Sequence, residues 1–326
     1  MKLGVIGGGA WGTALAQVAA TGNRETLLWA LEQEVVEAIN HRHENTAFLP
    51  GIALNPSVRA TSDFGDLEEC DALLVVTPAQ HMRAILEQAP HGSKPLVLCS
   101  KGIEEKSGEL LHQVAKDACP KSEIAVLSGP TFAHEVARGL PPAVTRAAED
   151  VGLGKRLRDR IGQPTFRIYL SDDVAGAEIG GAVKNVLAIA CGVVEGKGLG
   201  QNARAALIGR GLAEMTRFGM AFGAKRETLA GLSGLGDLVL TCTSASSRNY
   251  SLGKGIGEGR SAAELLADRK TVAEGAFTAP VLARLATEKG IDMPIVDAVD
   301  ALVAGRANVD DVLGALLSRP ARSEAI

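Results

Sequence analysis

The first half of the chain alternates short β-branched, apolar runs with helix-like segments. The runs are Leu3–Ile6, Thr26–Trp29, Ala72–Thr77, Leu96–Cys99, Ile124–Leu127, Ala143–Ala147 and Phe166–Leu170. Several are continuously apolar rather than alternating, as in strands covered on both faces. Helices are expected over Thr13–Ala20, Glu32–Asn40, Gln80–Gln88 and Gly108–Ala118. Such an order predicts a doubly wound α/β unit with a mostly parallel sheet. After about Asp173 the β pattern stops. Ala175–Glu195, Ala203–Phe222, Ala262–Ala267, Ala279–Lys289 and Ala298–Ala304 read as helices, with glycine-rich loops around Gly196–Gly200, Gly231–Gly236 and Gly253–Gly259. The expectation is an α/β domain over residues 1–174 and an all-helical domain over 175–326.

Composition agrees with two domains. At 326 residues the chain exceeds what one core usually fills. Hydrophobic residues reach 46% but aromatics only 3%, so the interior must be aliphatic. A net charge of −4 offers no basic field for nucleic acid, though local cations can hold a small anion. Five scattered cysteines form no C-x-x-C pair; they suggest neither a disulfide framework nor a metal site, but small apolar residues in a reducing compartment. The first strand is expected to begin at Lys2, with no signal peptide ahead of it. The most membrane-like stretch, GGAVKNVLAIACGVV, is too short to span and carries Lys184 and Asn185. A soluble cytoplasmic protein is expected.

Chemistry enters with Gly7, Gly9 and Gly12, a G-x-G-x-x-G between the first strand and a helix. With a second strand about 20 residues on, the context is a dinucleotide-binding βαβ unit of Rossmann type. Gly7 allows the tight turn, Gly9 the approach of a pyrophosphate, and Gly12 close helix–strand packing. The phosphates would sit on the helix N-terminus. At the end of the second strand, an acid suits the ribose of NAD and an arginine the 2′-phosphate of NADP. The chain has Leu31 and then Glu32, which leans toward NAD, or Glu32 simply opens the next helix on its solvent face.

Three further stretches point to a substrate site. In LVLCSKGIE, Lys101 follows a strand, on the side where such sheets bind ligands. In LSGPTFAHEVARG, Gly129, Pro130 and Thr131 make a turn offering amides and a hydroxyl. In GAEIGGAVKNVLAIACG, Lys184 sits mid-helix among apolar and small residues, where burial would lower its pKa toward that of a useful base. Downstream, Asp237 is a lone acid that wants a cation, with Lys184 the natural partner. Ser247, Arg248 and Asn249 group a hydroxyl, a guanidinium and an amide suited to phosphate; the alternative for Arg248 is an ordinary solvated arginine.

The runs GGGAWGTALA, SKGIE, SGPTFAHEVARG, GGAVKNVLAIACG, GLGDLVLTCTSASSRN and VAEG, in order along nearly the whole chain, resemble the bacterial NAD(P)-dependent sn-glycerol-3-phosphate dehydrogenases. The resemblance implies a Rossmann domain and a helical domain that completes an active site; no metal is expected, because a lysine can supply the acid–base role and the sequence shows no ligand cluster. It implies interconversion of sn-glycerol 3-phosphate and dihydroxyacetone phosphate, for phospholipid synthesis. By the resemblance, Lys184 is the proton acceptor, oriented by Asp237. Lys101, Gly129, Thr131, Asp237, Ser247, Arg248 and Asn249 surround the substrate. Ala10, Trp11, Lys101, Ala133, Arg248, Val272 and Glu274 line the cofactor beside the glycines. Members commonly carry arginine or histidine after the WA of the second strand, and this chain has Leu31, so an NADP preference does not carry over. A homodimer through the helical domain is compatible with the resemblance. Two rivals remain at this level: another β-hydroxyacid dehydrogenase of similar build, and a dinucleotide-binding regulator without catalysis.

Overall fold

The structure, a computed structural model, describes residues 1–267 and 272–320. The chain divides into two compact units: Met1–Ser100 with Leu111–Val174, and Lys101–Leu110 with the chain from Ala175 onward. The short segment 101–110 therefore packs with the second unit, although it lies between strands of the first.

The first unit is an eight-stranded sheet in the order β3-β2-β1-β4-β5-β6-β7-β8. Its strands are β1 Leu3–Ile6, β2 Thr26–Trp29, β3 Val58–Thr61, β4 Ala72–Val75, β5 Leu96–Leu98, β6 Ile124–Ser128, β7 Ala143–Ala148 and β8 Arg167–Ser171. The β6–β7 pair is antiparallel and the other pairings are parallel. Helices α1 Ala10–Ala19, α2 Gln33–Arg42, α3 Met82–Leu86, α4 Leu111–Ala118, α5 Ala133–Ala137 and α6 Val151–Ile161 belong to it. The central runs LGVI and ALLV are buried along their whole length, which is why they lack alternation. Chain order reverses between β1 and β4, the switch point where ligands bind beyond the strand ends. The sequence pattern misses β3, whose residues VRAT lie at the sheet edge and include the exposed Arg59.

The second unit is helical: α7 Val174–Gly196, α8 Gly200–Ala221, α9 Arg226–Leu229, a π-helical turn Leu232–Gly236, α10 Asp237–Cys242, α11 Arg248–Gly257, α12 Ala262–Leu266, α13 Glu274–Glu288, α14 Pro294–Val303 and α15 Val309–Leu317. Among the described residues, α7 is long and apolar enough to cross a membrane; its apolar window is entirely buried in the core of this unit. At 23 residues it is longer than the apolar stretch read from sequence.

Two of the three expected glycine loops are helical instead. A Cβ on Gly253 would strike the Ile189 carbonyl oxygen, one on Gly192 the Tyr250 carbonyl, and one on Gly196 the Lys254 carbonyl. Glycines four residues apart line one face of each helix and let α7 and α11 pack backbone to backbone. The Gly231–Gly236 stretch is likewise the π-helical turn, where a Cβ on Gly234 would strike the Leu229 carbonyl. Only the first stretch is a turn, with left-handed φ values of 68° at Gly198 and 86° at Gly200.

Candidate active site

In the first unit, the chain leaves β1 at Gly7, whose φ is 128° and whose Cβ position lies 2.8 Å from the Val76 carbonyl oxygen. Only glycine fits there. A Cβ on Gly12 would run into the Gly7 carbonyl, so α1 sits directly on the turn. A Cβ on Gly9 would meet nothing within 4 Å. That open space fronts the N-terminus of α1, where Gly9 supplies no side-chain cap and the first amides await an acceptor. The Trp11 indole Nε1 is buried without a hydrogen-bond partner. A cradle with room at Gly9, free amides and an orphaned donor fits a dinucleotide pyrophosphate.

A residue missed in the sequence holds this turn. Buried Asn45 donates from Nδ2 to the Gly8 carbonyl at 2.7 Å and to the Thr13 hydroxyl at 2.8 Å. Locally its Oδ1 accepts only from the Phe48 amide at 3.0 Å, while the two partners that tie it to the glycine turn lie more than 30 positions away. Nearby, α5 packs on α1 and brings Ala133 to the side of Ala10 and Trp11. Gly129, with φ 149°, follows β6 with its Cβ position 3.0 Å from the Val144 Cα. Thr131 donates to the Gly129 carbonyl at 3.3 Å. At the end of β2, Leu31 is 76% exposed and Glu32 stands at the N-cap of α2 without capping it. No cation is supplied by either side chain.

The second unit gathers two of the expected site residues around the carboxylate of a third. Asp237, fully buried at the start of α10, receives Lys184 Nζ on Oδ1 at 2.6 Å and Lys101 Nζ on Oδ2 at 2.5 Å. Lys184 lies mid-way along α7 and is 6% exposed. Burial pushes its ammonium down to about 8, against the raising attraction of Asp237; the Lys101 charge adds to the lowering. Sequence reading missed Thr241, which accepts from Lys184 Nζ at 2.9 Å and donates to the Asp237 carbonyl at 2.7 Å. Its signal was its spacing, four residues after Asp237 and so on the same face of α10. Two of the three Lys184 protons are thereby directed, and the third is free to point at a ligand.

Ser247, Arg248 and Asn249 open α11. Ser247 caps the helix, its hydroxyl accepting from the Tyr250 amide at 3.2 Å. Asn249 donates to the Asn185 side chain at 3.0 Å and accepts from the Gly275 amide at 2.9 Å. Asn185 follows Lys184 on α7, so this bond ties the Arg248 group to the lysine pair. Gly275 belongs to the first turn of α13, which brings Val272 and Glu274 to the same end of the unit. Arg248 itself is exposed, and Glu274 is near enough to act on its charge.

Comparison with known proteins shows which family the chain belongs to. Residues 2–153 match the family model for the NAD-dependent glycerol-3-phosphate dehydrogenase N-terminus, and residues 173–314 match that for its C-terminus. An NAD(P)+ glycerol-3-phosphate dehydrogenase of Erythrobacter litoralis is 63% identical over 99% of this chain and 98% of its own length. The crystal structure of glycerol-3-phosphate dehydrogenase from Coxiella burnetii superposes with a TM-score of 0.93 at 36% identity, covering 98% of this chain and 99% of that one. The enzyme of that name from Saccharomyces cerevisiae gives 0.81 at 29% identity, over 96% and 98% of the two chains. With both halves of the family model matched in order, the chain belongs to the NAD-dependent glycerol-3-phosphate dehydrogenase family.

Proposed function

We propose that this protein interconverts sn-glycerol 3-phosphate and dihydroxyacetone phosphate with NAD or NADP, in the cytoplasm, supplying glycerol 3-phosphate for phospholipid synthesis. One observation carries the reading: a lysine amine buried on a carboxylate, with one proton undirected and a proton affinity near neutrality. The bound nicotinamide supplies the hydride acceptor or donor. Neutral Lys184 takes the proton of the C2 hydroxyl as C2 loses its hydride; in the reverse direction its ammonium polarises the C2 carbonyl and returns that proton. Asp237 and Thr241 hold the amine in one orientation. Arg248 and Asn249, at the N-terminus of α11, hold the substrate phosphate, with Ser247, Lys101, Gly129 and Thr131 around the remaining oxygens. Binding energy from the phosphate then fixes the reacting carbon.

In this reading residues 1–174 hold the cofactor and 175–326 the substrate, with 101–110 lending Lys101 to the second group. Gly7, Gly9 and Gly12 with Ala10, Trp11 and Ala133 would hold the dinucleotide on one unit, and Arg248, Val272 and Glu274 on the other. Leu31 offers no charge to a 2′-phosphate, so NADH is the preferred reductant. A homodimer through the helical unit completes the proposal; exposed Leu199, Met220 and Leu317 supply apolar surface for it.

The test is an assay of the purified protein with dihydroxyacetone phosphate and with a β-keto acid, using NADH and NADPH in turn. Phosphate-specific turnover that falls sharply in Arg248→Ala supports the reading. Preference for the keto acid, or cofactor binding without turnover of either, would sink it.

A further inference from the structure

The starts of β1 and β2 and the end of α6 line a cavity of about 670 Å³, all of it within the first unit. It lies at the opposite end of β1 from Gly7. Cations dominate its lining: the Met1 amine, Lys2, Arg24, Arg156 and Arg160 stand against two acids, Glu25 and Asp159. Three of these cations are paired, the Met1 amine with Asp71 at 3.6 Å, Lys2 with Glu69 at 2.7 Å and Arg156 with Glu123 at 3.3 Å. Asp159 is taken up by Arg158 at 2.8 Å, and Glu25 stands 4.0 Å from Lys2. Among the described residues, no carboxylate pairs with Arg24 or Arg160.

These two guanidiniums hold backbone instead. Arg160 donates from Nε to the Met1 carbonyl at 2.7 Å and from Nη1 to the Ala19 carbonyl at 2.9 Å. It thereby ties the start of β1 to the end of α1. Arg24 donates from Nη1 to the Arg160 carbonyl at 2.9 Å, which brings the two arginines together. Burial lowers the proton affinity of Arg160, and the Arg24 charge adds to the lowering. A helix C-terminus carries only about half a negative charge, so the carbonyls of α1 and α6 offset this pair in part. A guanidinium has five N–H donors and stays charged; Arg160 spends two of them and Arg24 one.

We propose that this cavity binds a soluble, phosphorylated small molecule whose phosphate oxygens bridge Arg24 and Arg160. A guanidinium fork matches phosphate oxygens two at a time, and two adjacent forks suit a dianion. The volume is that of an ordinary small-molecule site, so a second phosphate or a hydroxylated carbon chain fits beside the first phosphate. Among the described lining residues only Met1 has an uncharged side chain and none is aromatic, so the ligand is polar throughout. The glycine turn lies at the far ends of β1 and α1, which makes this site separate from the dinucleotide cradle.

The test is calorimetric titration of inorganic pyrophosphate into wild type, Arg24→Gln, Arg160→Gln and Arg158→Gln, each saturated with NADH. Every other anion site is common to the four proteins, so differences between them report the cavity. Arg24→Gln loses one equivalent of bound pyrophosphate, or binds it at least about tenfold more weakly, with NADH affinity and dihydroxyacetone phosphate reduction unchanged. Arg160→Gln shows the same loss; exposed Arg24, with its single bond, covers an Arg160 variant that folds poorly. Arg158→Gln removes a neighbouring positive charge that does not line this cavity, and binds pyrophosphate as wild type does. Equal binding in wild type and Arg24→Gln overturns the proposal. So does an equal loss in Arg158→Gln, which marks a diffuse basic field and an adventitious ion only. Arg24-dependent binding to phosphatidylglycerol vesicles, with no binding of pyrophosphate, assigns the cavity to a lipid headgroup and overturns the soluble ligand.

Discussion

Glycines do opposite work in the two units. At Gly9 the missing side chain leaves space open in front of a helix terminus, space that a ligand can enter. At Gly253 and Gly257 it lets another part of the chain come close, because the α7 backbone occupies the place of each Cβ. Gly12 belongs with the second kind, since its Cβ would meet the Gly7 carbonyl. The same residue type therefore marks a binding turn, a tight packing seam or plain flexibility, and only its surroundings tell which.

Alanine substitutions separate these roles, from the largest effect to the smallest. Gly253→Ala forces α7 and α11 apart along a backbone-to-backbone contact, and is expected to destabilise the helical unit by about 3 kcal/mol or more. Thermal melting reads it; a melting point unchanged from wild type would remove the packing account of these glycines. Gly12→Ala is expected to cost about 1–3 kcal/mol and to abolish dinucleotide binding as well, because the turn and α1 must separate. Gly9→Ala should leave the melting point alone and weaken NADH binding, read by calorimetry; a stability loss here would place Gly9 among the packing glycines. Gly209, exposed on α8 with nothing within 4 Å of its Cβ position, has neither role. Its replacement by alanine should stabilise the protein by about 0.5–1 kcal/mol, with unchanged activity.

The comparison also explains what the sequence revealed. The α/β unit was legible because fully buried parallel strands such as LGVI and ALLV leave continuous apolar runs between helix patterns. Its edge strand β3 was not, since VRAT is short and half polar. In the helical unit, α7 and most of α8 stood out, while α11 was mistaken for a loop. Glycine is a weak helix former, and its local preference was overruled by a packing partner some 60 positions away. The same limit governs the site. Lys184 and Asp237 were legible as a buried base and a lone acid, and the structure joins them at 2.6 Å. That Lys101 would share Asp237 was hidden, because segment 101–110 leaves the sheet unit to pack elsewhere. Asn45 and Thr241 escaped notice because each is an ordinary polar residue until its partners arrive through the fold.

Glu214 shows why burial of a charge is not in itself a functional sign. It lies on α8, 2% exposed, and accepts from the Ile295 and Val296 amides at the N-terminus of α14. Burial pushes its carboxyl up to about 7, so the folded protein binds a proton between roughly pH 4.5 and 7 that the unfolded chain has released. Its contribution is full below that window and is lost as pH rises through 7. Glu214→Gln should flatten this part of the stability–pH curve without altering turnover. A slope that persists in the variant would show that other groups carry it.

The central claim is that Lys184 performs the acid–base step while the glycine turn, in the other unit, holds the cofactor. It is tested most directly by measuring dihydroxyacetone phosphate reduction and NADH affinity together in wild type and Lys184→Ala. The account predicts a rate lower by about 10²–10⁴-fold with NADH binding retained. Turnover close to that of wild type in a folded Lys184→Ala protein would contradict it.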